Sequence, residues 1–211
     1  MLLSHVWGLL THPAEEWEDI RKERCSIGKC YCTHVLVLAA LPAIAGYIGT
    51  TQIGWSIGSS EIVKLTPQSA LVLSILTYFT MLTAVFSIGW MVHWMGKTYG
   101  TEQPLPQGIA LAAYSATPLF LIGISFLYPI LWLNMIIVMP ALAYSIYLLY
   151  AGLPTMMQVN KEQGFLFASA VMAVGLVVFV AVLAVVVLLW GFGIAPEFTS
   201  ELMQKSQFGI V

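Results

Sequence analysis

Charged residues divide this chain into long apolar runs. No Asp, Glu, Lys or Arg stands between Glu102 and Lys161, a stretch nearly three times the ~20 residues that one membrane-spanning helix needs. Two spans fit it, divided at Tyr128-Pro129, because proline lacks the amide hydrogen that a continuing helix requires. The same reading along the chain predicts five spans: Thr33 to Trp55, Ala70 to Gly96, Gln107 to Leu127, Ile130 to Ala151 and Phe165 to Phe192. The expected fold class is all-α integral membrane. Segment 1–32 is cytoplasmic, 33–192 holds the spans, and 193–211 is a short external tail.

Before the first span the pattern changes. Leu3, Val6, Trp7 and Leu10 recur at helical spacing, Thr11-His12-Pro13 offers a break and a helix start, and Trp17 and Ile20 continue an apolar stripe among Glu15, Glu16, Glu18, Asp19, Arg21 and Lys22. This predicts an amphipathic N-terminal helical segment, either lying along the inner membrane surface or packed on the cytoplasmic ends of the spans. The first ten residues are apolar but have no basic leading region and no small-residue cleavage site, so the segment is expected to be retained.

Composition agrees with lipid as the main solvent. Among 211 residues, 59% are hydrophobic and 9% charged, against roughly 25% charged in a soluble domain. The distribution of Lys and Arg sets an orientation. Arg21, Lys22, Arg24, Lys29, Lys97 and Lys161 fall on one side of the five-span plan, and Lys64 and Lys205 on the other. The positive-inside rule then predicts the N-terminus inside and the C-terminus outside. A net charge of −2 supplies no basic face for a phosphate backbone, so nucleic acid is not an expected partner.

Candidate chemistry is sparse. Cys25, Cys30, Cys32 and His34 lie within ten positions and, with His5 or His12, offer soft and borderline metal ligands. Their spacing is not a zinc pair-and-pair pattern, and the simpler reading is three reduced thiols near the membrane surface. Neither a metal nor another cofactor is expected. No carboxylate lies in the middle of any predicted span, which leaves no intramembrane proton relay and no paired acid for hydrolysis; the chain is not expected to be an enzyme. Trp90, His93 and Trp94 before Lys97, and Tyr147 and Tyr150 before Gly152-Leu153-Pro154, read as an interfacial aromatic belt. Ala39, Ala43, Gly46, Gly49 and Thr50 in the first span, and Ala170, Ala173, Ala181 and Ala184 in the last, allow close helix approach.

One polar pocket is predicted. Measured from Tyr128-Pro129, Tyr114 and Tyr144 fall at a common depth, roughly 10 Å in from the cytoplasmic interface, with Pro118 and Pro140 somewhat deeper. Each proline deprives a carbonyl four residues earlier of its amide donor, Tyr114 for one and Ile136 for the other. In lipid such a carbonyl needs a hydroxyl, water or ligand. The candidate residues are Tyr114, Ser115, Thr117, Pro118, Pro140, Tyr144 and Tyr147. They either satisfy the proline breaks or line a cytoplasm-facing pocket, and in both cases Tyr114 and Tyr144 should face the bundle interior.

Leu10-Thr11-His12-Pro13 followed by Trp17 and Ile20, then Ala113-Tyr114-Ser115-Ala116-Thr117-Pro118, then Tyr144-Ser145-Ile146-Tyr147-Leu148-Leu149-Tyr150-Ala151-Gly152-Leu153, together with the five-span plan, resemble the YIP-domain family. Within it the chain is similar to the YohC-like inner-membrane proteins of bacteria. Eukaryotic members are Rab-interacting proteins of the Golgi and endoplasmic reticulum, with a cytoplasmic N-terminus and five spans. The resemblance implies the same topology here. It does not imply Rab binding, because the long N-terminal region with its Asp-Leu-Tyr-Gly-Pro type of motif is not in this sequence. The function expected is therefore a multi-pass inner-membrane protein that binds membrane lipid, a protein partner or a second copy of itself. The alternative is a channel or transporter for a small neutral solute through the third and fourth spans.

Overall fold

A computed structural model describes residues 2–23, 26–55, 62–191 and 198–199. In chain order the helices are α1 (Leu2–Thr11), α2 (Pro13–Glu23), α3 (Ile27–Cys30), α4 (Leu36–Ile48), α5 (Pro67–Gly96), α6 (Leu105–Ser115), α7 (Thr117–Ile122), α8 (Leu131–Met157) and α9 (Lys161–Gly191). Among the described residues the only strand-type pairing is two isolated bridges, Trp55 with Val63 and Leu65 with Phe198. Five stretches are long and apolar enough to cross a membrane: Thr33–Ile53, Pro67–Tyr99, Leu105–Leu127, Leu131–Met157 and Lys161–Ala181.

Local chemistry sets the boundaries. Thr66 caps α5 by accepting the Ser69 amide at 3.3 Å, with Pro67 in the first turn where its missing N–H costs nothing. Asn160 caps α9 through the Gln163 amide at 2.8 Å. Gln158, at φ 55°, ends α8 in the left-handed region. The fourth span therefore runs six residues beyond the Ala151 expected from sequence. Pro154 lies inside α8 and does not stop it. Its ring packs against the start of α9, where a Cβ on Gly164 would come within 2.6 Å of Pro154 Cγ; this contact offsets the lost hydrogen bond.

The third span is central. α6 packs between α5 and α8, and α7 packs on α4 and α8. Within its most apolar window 61% of residues are buried, against 6% for the second span. Long faces of α5 and α9, including Val72, Leu76, Phe79, Leu176, Val177 and Phe179, are exposed, as expected of surfaces solvated by lipid. The small residues divide similarly. Ala39 and Ala43 are buried in α4, while Ala173, Ala181 and Ala184 are exposed on α9.

The first span begins and ends in a π-helical turn, Tyr31–Val35 and Gly49–Ile53. Such turns widen the helix by one residue and re-aim its side chains. The first carries His34, fully buried. Tyrosine hydroxyls tie this span to the second: Tyr31 donates to the Leu82 carbonyl at 2.6 Å, and Tyr78 to the Leu36 carbonyl at 3.2 Å.

Candidate binding site under the N-terminal helices

The two N-terminal helices form a cap on one end of the bundle. Pro13 opens α2, with Glu15 and Glu16 in its first turn and Arg21 and Lys22 in its last, complementing the helix dipole at both ends. The inward face of α2 is Trp17 and Ile20, both buried; Glu15, Glu18, Asp19 and Lys22 face outward. On the outer face the Asp19 carboxylate accepts from the Lys22 ammonium at 2.9 Å, and this hydrogen bond pushes the Lys22 pKa up.

Trp17 is the anchor. It is fully buried, and a Cβ on Gly152 would lie 2.4 Å from its ring, so the absence of a side chain at 152 creates the seat that the indole fills. Arg21 continues the contact with a long 3.5 Å hydrogen bond from Nη1 to the Thr155 carbonyl. The cap thus rests on the C-terminal third of α8. The loop between the second and third spans joins the same end, where the Thr101 hydroxyl donates to the Met157 carbonyl at 2.6 Å.

α1 is held by a histidine. Nδ1 of His5 faces the Glu16 carboxylate, and Nε2 lies 3.2 Å from Glu23 Oε1. Gly8 leaves the space in which the Glu16 carboxylate lies. This geometry corrects the stripe expected for α1. His5, Val6 and Leu9 are the inward residues, whereas Trp7 and Leu10 are exposed, because the face that brings His5 to α2 carries Val6 and Leu9 with it. The Tyr144 hydroxyl adds a tie from the fourth span, donating to the Leu9 carbonyl at 2.8 Å.

Under the cap four rings converge. Tyr114 of α6 has its centroid 5.8 Å from His5, 6.5 Å from Trp17 and 4.4 Å from His34. His34 Nε2 lies 2.9 Å from the Thr117 hydroxyl. His34 Nδ1, Trp17 Nε1 and the hydroxyls of Ser115 and Ser145 are buried without a hydrogen-bond partner among the described residues. Buried polar groups of this kind normally find partners, so these four stand out in an otherwise apolar interior.

The residues expected to form one pocket are divided between different surroundings. Tyr114, Ser115, Thr117 and Pro118 are buried at the α6–α7 junction, where the helix restarts with Pro118 in its first turn. Tyr144 reaches the cap and is only half-buried; Pro140 and Tyr147 are exposed on the outer face of α8. Both tyrosines meet the cap, Tyr114 through the His5 and Trp17 rings and Tyr144 through the Leu9 carbonyl. Of the belt residues, Trp90 and Trp94 are exposed, and His93 Nδ1 lies 2.9 Å from the Gln103 carbonyl. Tyr150 joins α8 to α9 through the Ser169 hydroxyl at 2.9 Å.

For the metal candidates, Cys25 and the side chains of Cys30 and Cys32 lie outside the described residues. His34 is turned to Thr117 and Tyr114. Among the described residues no three His, Cys, Asp or Glu side chains gather as metal ligands. The carboxylates missed from sequence, Glu16 and Glu23, lie eleven and eighteen positions from His5. The available signal was an ionisable residue on an apolar helix face.

The Yip1 domain family model matches residues 7–183, a range that runs from α1 through all five spans. The chain belongs to the Yip1 domain family. Two curated relatives, both called inner membrane protein YohC, come from Escherichia coli strain K12 and strain O6:H1 (CFT073). Each is 44% identical over 191 residues, covering 90% of this chain and 98% of the relative. No solved structure matches the chain. As a member of the Yip1 domain family with five apolar helices, it is a multi-pass inner-membrane protein.

Proposed function

We propose that this chain is a non-enzymatic membrane protein that binds a lipid or a protein partner at its capped end and organises the bilayer around it. The observation that carries this reading is the cap itself. Trp17 and His5 fix two short helices on the bundle, leaving Trp7 and Leu10 exposed on one helix and a row of charges exposed on the other. An apolar and a charged surface side by side at the ends of spans suit the boundary between acyl chains and headgroups. The missing intramembrane carboxylates and the commitment of Glu16 and Glu23 to His5 support a binding role over a catalytic one.

The cap is cytoplasmic in this reading, because Arg21, Lys22, Lys97 and Lys161 share its end of the bundle. Reporter fusions after residues near 100 and 160 should report inside, and those near 64 and 205 outside; a C-terminus found inside would break this orientation. Binding is tested by purifying the chain from native membranes and identifying retained lipids and cross-linked proteins by mass spectrometry. A reproducible lipid or partner that persists through detergent exchange is the expected result. Recovery of none, combined with solute flux in liposomes, would overturn it.

That flux outcome is the second reading, a pathway for a small neutral solute. Its support is the interior set of His34, Thr117, Ser115 and Ser145, together with the helix break at Ala116. Such breaks can line a cavity with polar backbone. The cavity at the capped end, however, is lined on α6 by residues no deeper than Ala110, which favours binding at the surface.

A further inference from the structure

Beside the cap, a cavity of about 590 Å³ opens between the C-terminal half of α2 and the start of α6. Arg21 and Lys22 line it, and among the described residues no carboxylate does. The two cations differ in their commitments. Lys22 is exposed, with its ammonium on Asp19. Arg21 is half-buried, spends one donor on the long bond to Thr155, and has no carboxylate partner among the described residues. On the opposite wall, Gln107 Oε1 is shielded and has no hydrogen-bond partner among the described residues.

A partly dehydrated guanidinium without a counter-anion is unfavourable, and its planar fork of donors matches phosphate oxygens in pairs. The cavity lies where spans end, next to Met156 and Gln158 at the close of α8, the level at which lipid phosphates sit. Ile20, Ala110 and Met156 supply an apolar wall beside the cation. Free phosphate has no use for such a wall, whereas the glycerol and first acyl carbons of a lipid do.

We propose that this cavity binds the headgroup of an anionic phospholipid, with Arg21 holding the phosphate and the Gln107 amide a headgroup hydroxyl. This rests on the reading that the chain binds from its capped end, and it names the ligand class and the residues. Lys22 adds long-range attraction, and its pairing with Asp19 keeps that contribution secondary.

The test uses the full-length chain in dodecyl maltoside, titrated with dioleoylphosphatidylglycerol or dioleoylphosphatidylcholine and followed by native mass spectrometry and melting temperature. Phosphatidylglycerol should bind roughly tenfold more tightly than phosphatidylcholine. Arg21→Gln should abolish that preference and Arg21→Lys retain part of it. Lys161→Gln, which removes an exposed cation elsewhere, should leave it intact. Melting temperatures without lipid identify any variant that fails to fold, in which case Arg21→Lys carries the comparison.

Equal binding of the two lipids, or equal losses in Arg21→Gln and Lys161→Gln, would overturn the proposal. Glycerol 3-phosphate tests the source. If millimolar amounts displace the lipid, the site is one for soluble phosphate esters and the lipid assignment fails. A lipid that stays bound regardless of Arg21 sinks this site but leaves the broader reading intact. No retained lipid or partner, with solute flux, sinks both.

Discussion

The two docked N-terminal helices and the far end of the bundle are held by different chemistry. At the capped end, side chains reach between elements: Trp17 into the seat at Gly152, His5 to Glu16 and Glu23, Tyr144 to the Leu9 carbonyl. At the opposite end, backbones meet directly. A Cβ on Gly49 would lie 2.0 Å from the Phe126 carbonyl oxygen, and one on Gly123 would lie 2.4 Å from Pro42 Cβ. The turn there is closed by Asn134, whose amide donates to the Tyr128 carbonyl at 2.8 Å and the Ile130 carbonyl at 3.1 Å. Backbone contacts this close leave no room for a side chain at either glycine. The two short helices are instead held by side-chain anchors, and their release should leave the spans folded. Under the proposed function, the far end serves as a fixed joint and the capped end as the part that responds to a bound ligand.

The largest effect should come from breaking the joint. Gly49→Leu forces the first span away from the Phe126 backbone and should cost on the order of 4 kcal/mol, seen as a large drop in the melting temperature of the detergent-solubilised chain. Trp17→Ala should be smaller and different in kind. It removes a buried indole worth about 3 kcal/mol, but the loss should appear as fast amide exchange confined to α1 and α2, with the spans melting nearly as before. Global unfolding of Trp17→Ala would erase the distinction between the ends. Tyr144→Phe removes one hydrogen bond to Leu9 and should cost about 1 kcal/mol, measured as a modest rise in exchange of the α1 amides.

Most of the fold was legible because membrane spans are written in composition. The run from Glu102 to Lys161 admits little but two helices and a turn, and Tyr128-Pro129 marks that turn. Errors arose where tertiary contacts override a local signal. Gly152-Leu153-Pro154 reads as a helix stop, but Gly152 is there to seat Trp17 and Pro154 to pack on Gly164. The candidate site was harder to see. Tyr114 and Thr117 stand out as polar groups beside a proline, but their partner His34 is 83 positions from Thr117, and its inward aim depends on a π-helical turn without a sequence signature. His5 and Glu16 meet only after the chain folds back at Pro13. On α1, helical periodicity admits two apolar faces, and only the contact with α2 decides which one turns inward.

If binding belongs to the docked cap, Gly152→Leu should abolish it by filling the seat of Trp17 while leaving every charged and hydroxyl group of the cap in place. Phospholipid and cross-linked protein retained by the wild type and by this variant would be compared after identical purification from native membranes, alongside their melting temperatures. The variant should lose the retained ligand while its spans melt within a few degrees of the wild type. Equal retention by a variant whose α1 and α2 amides exchange freely would contradict it.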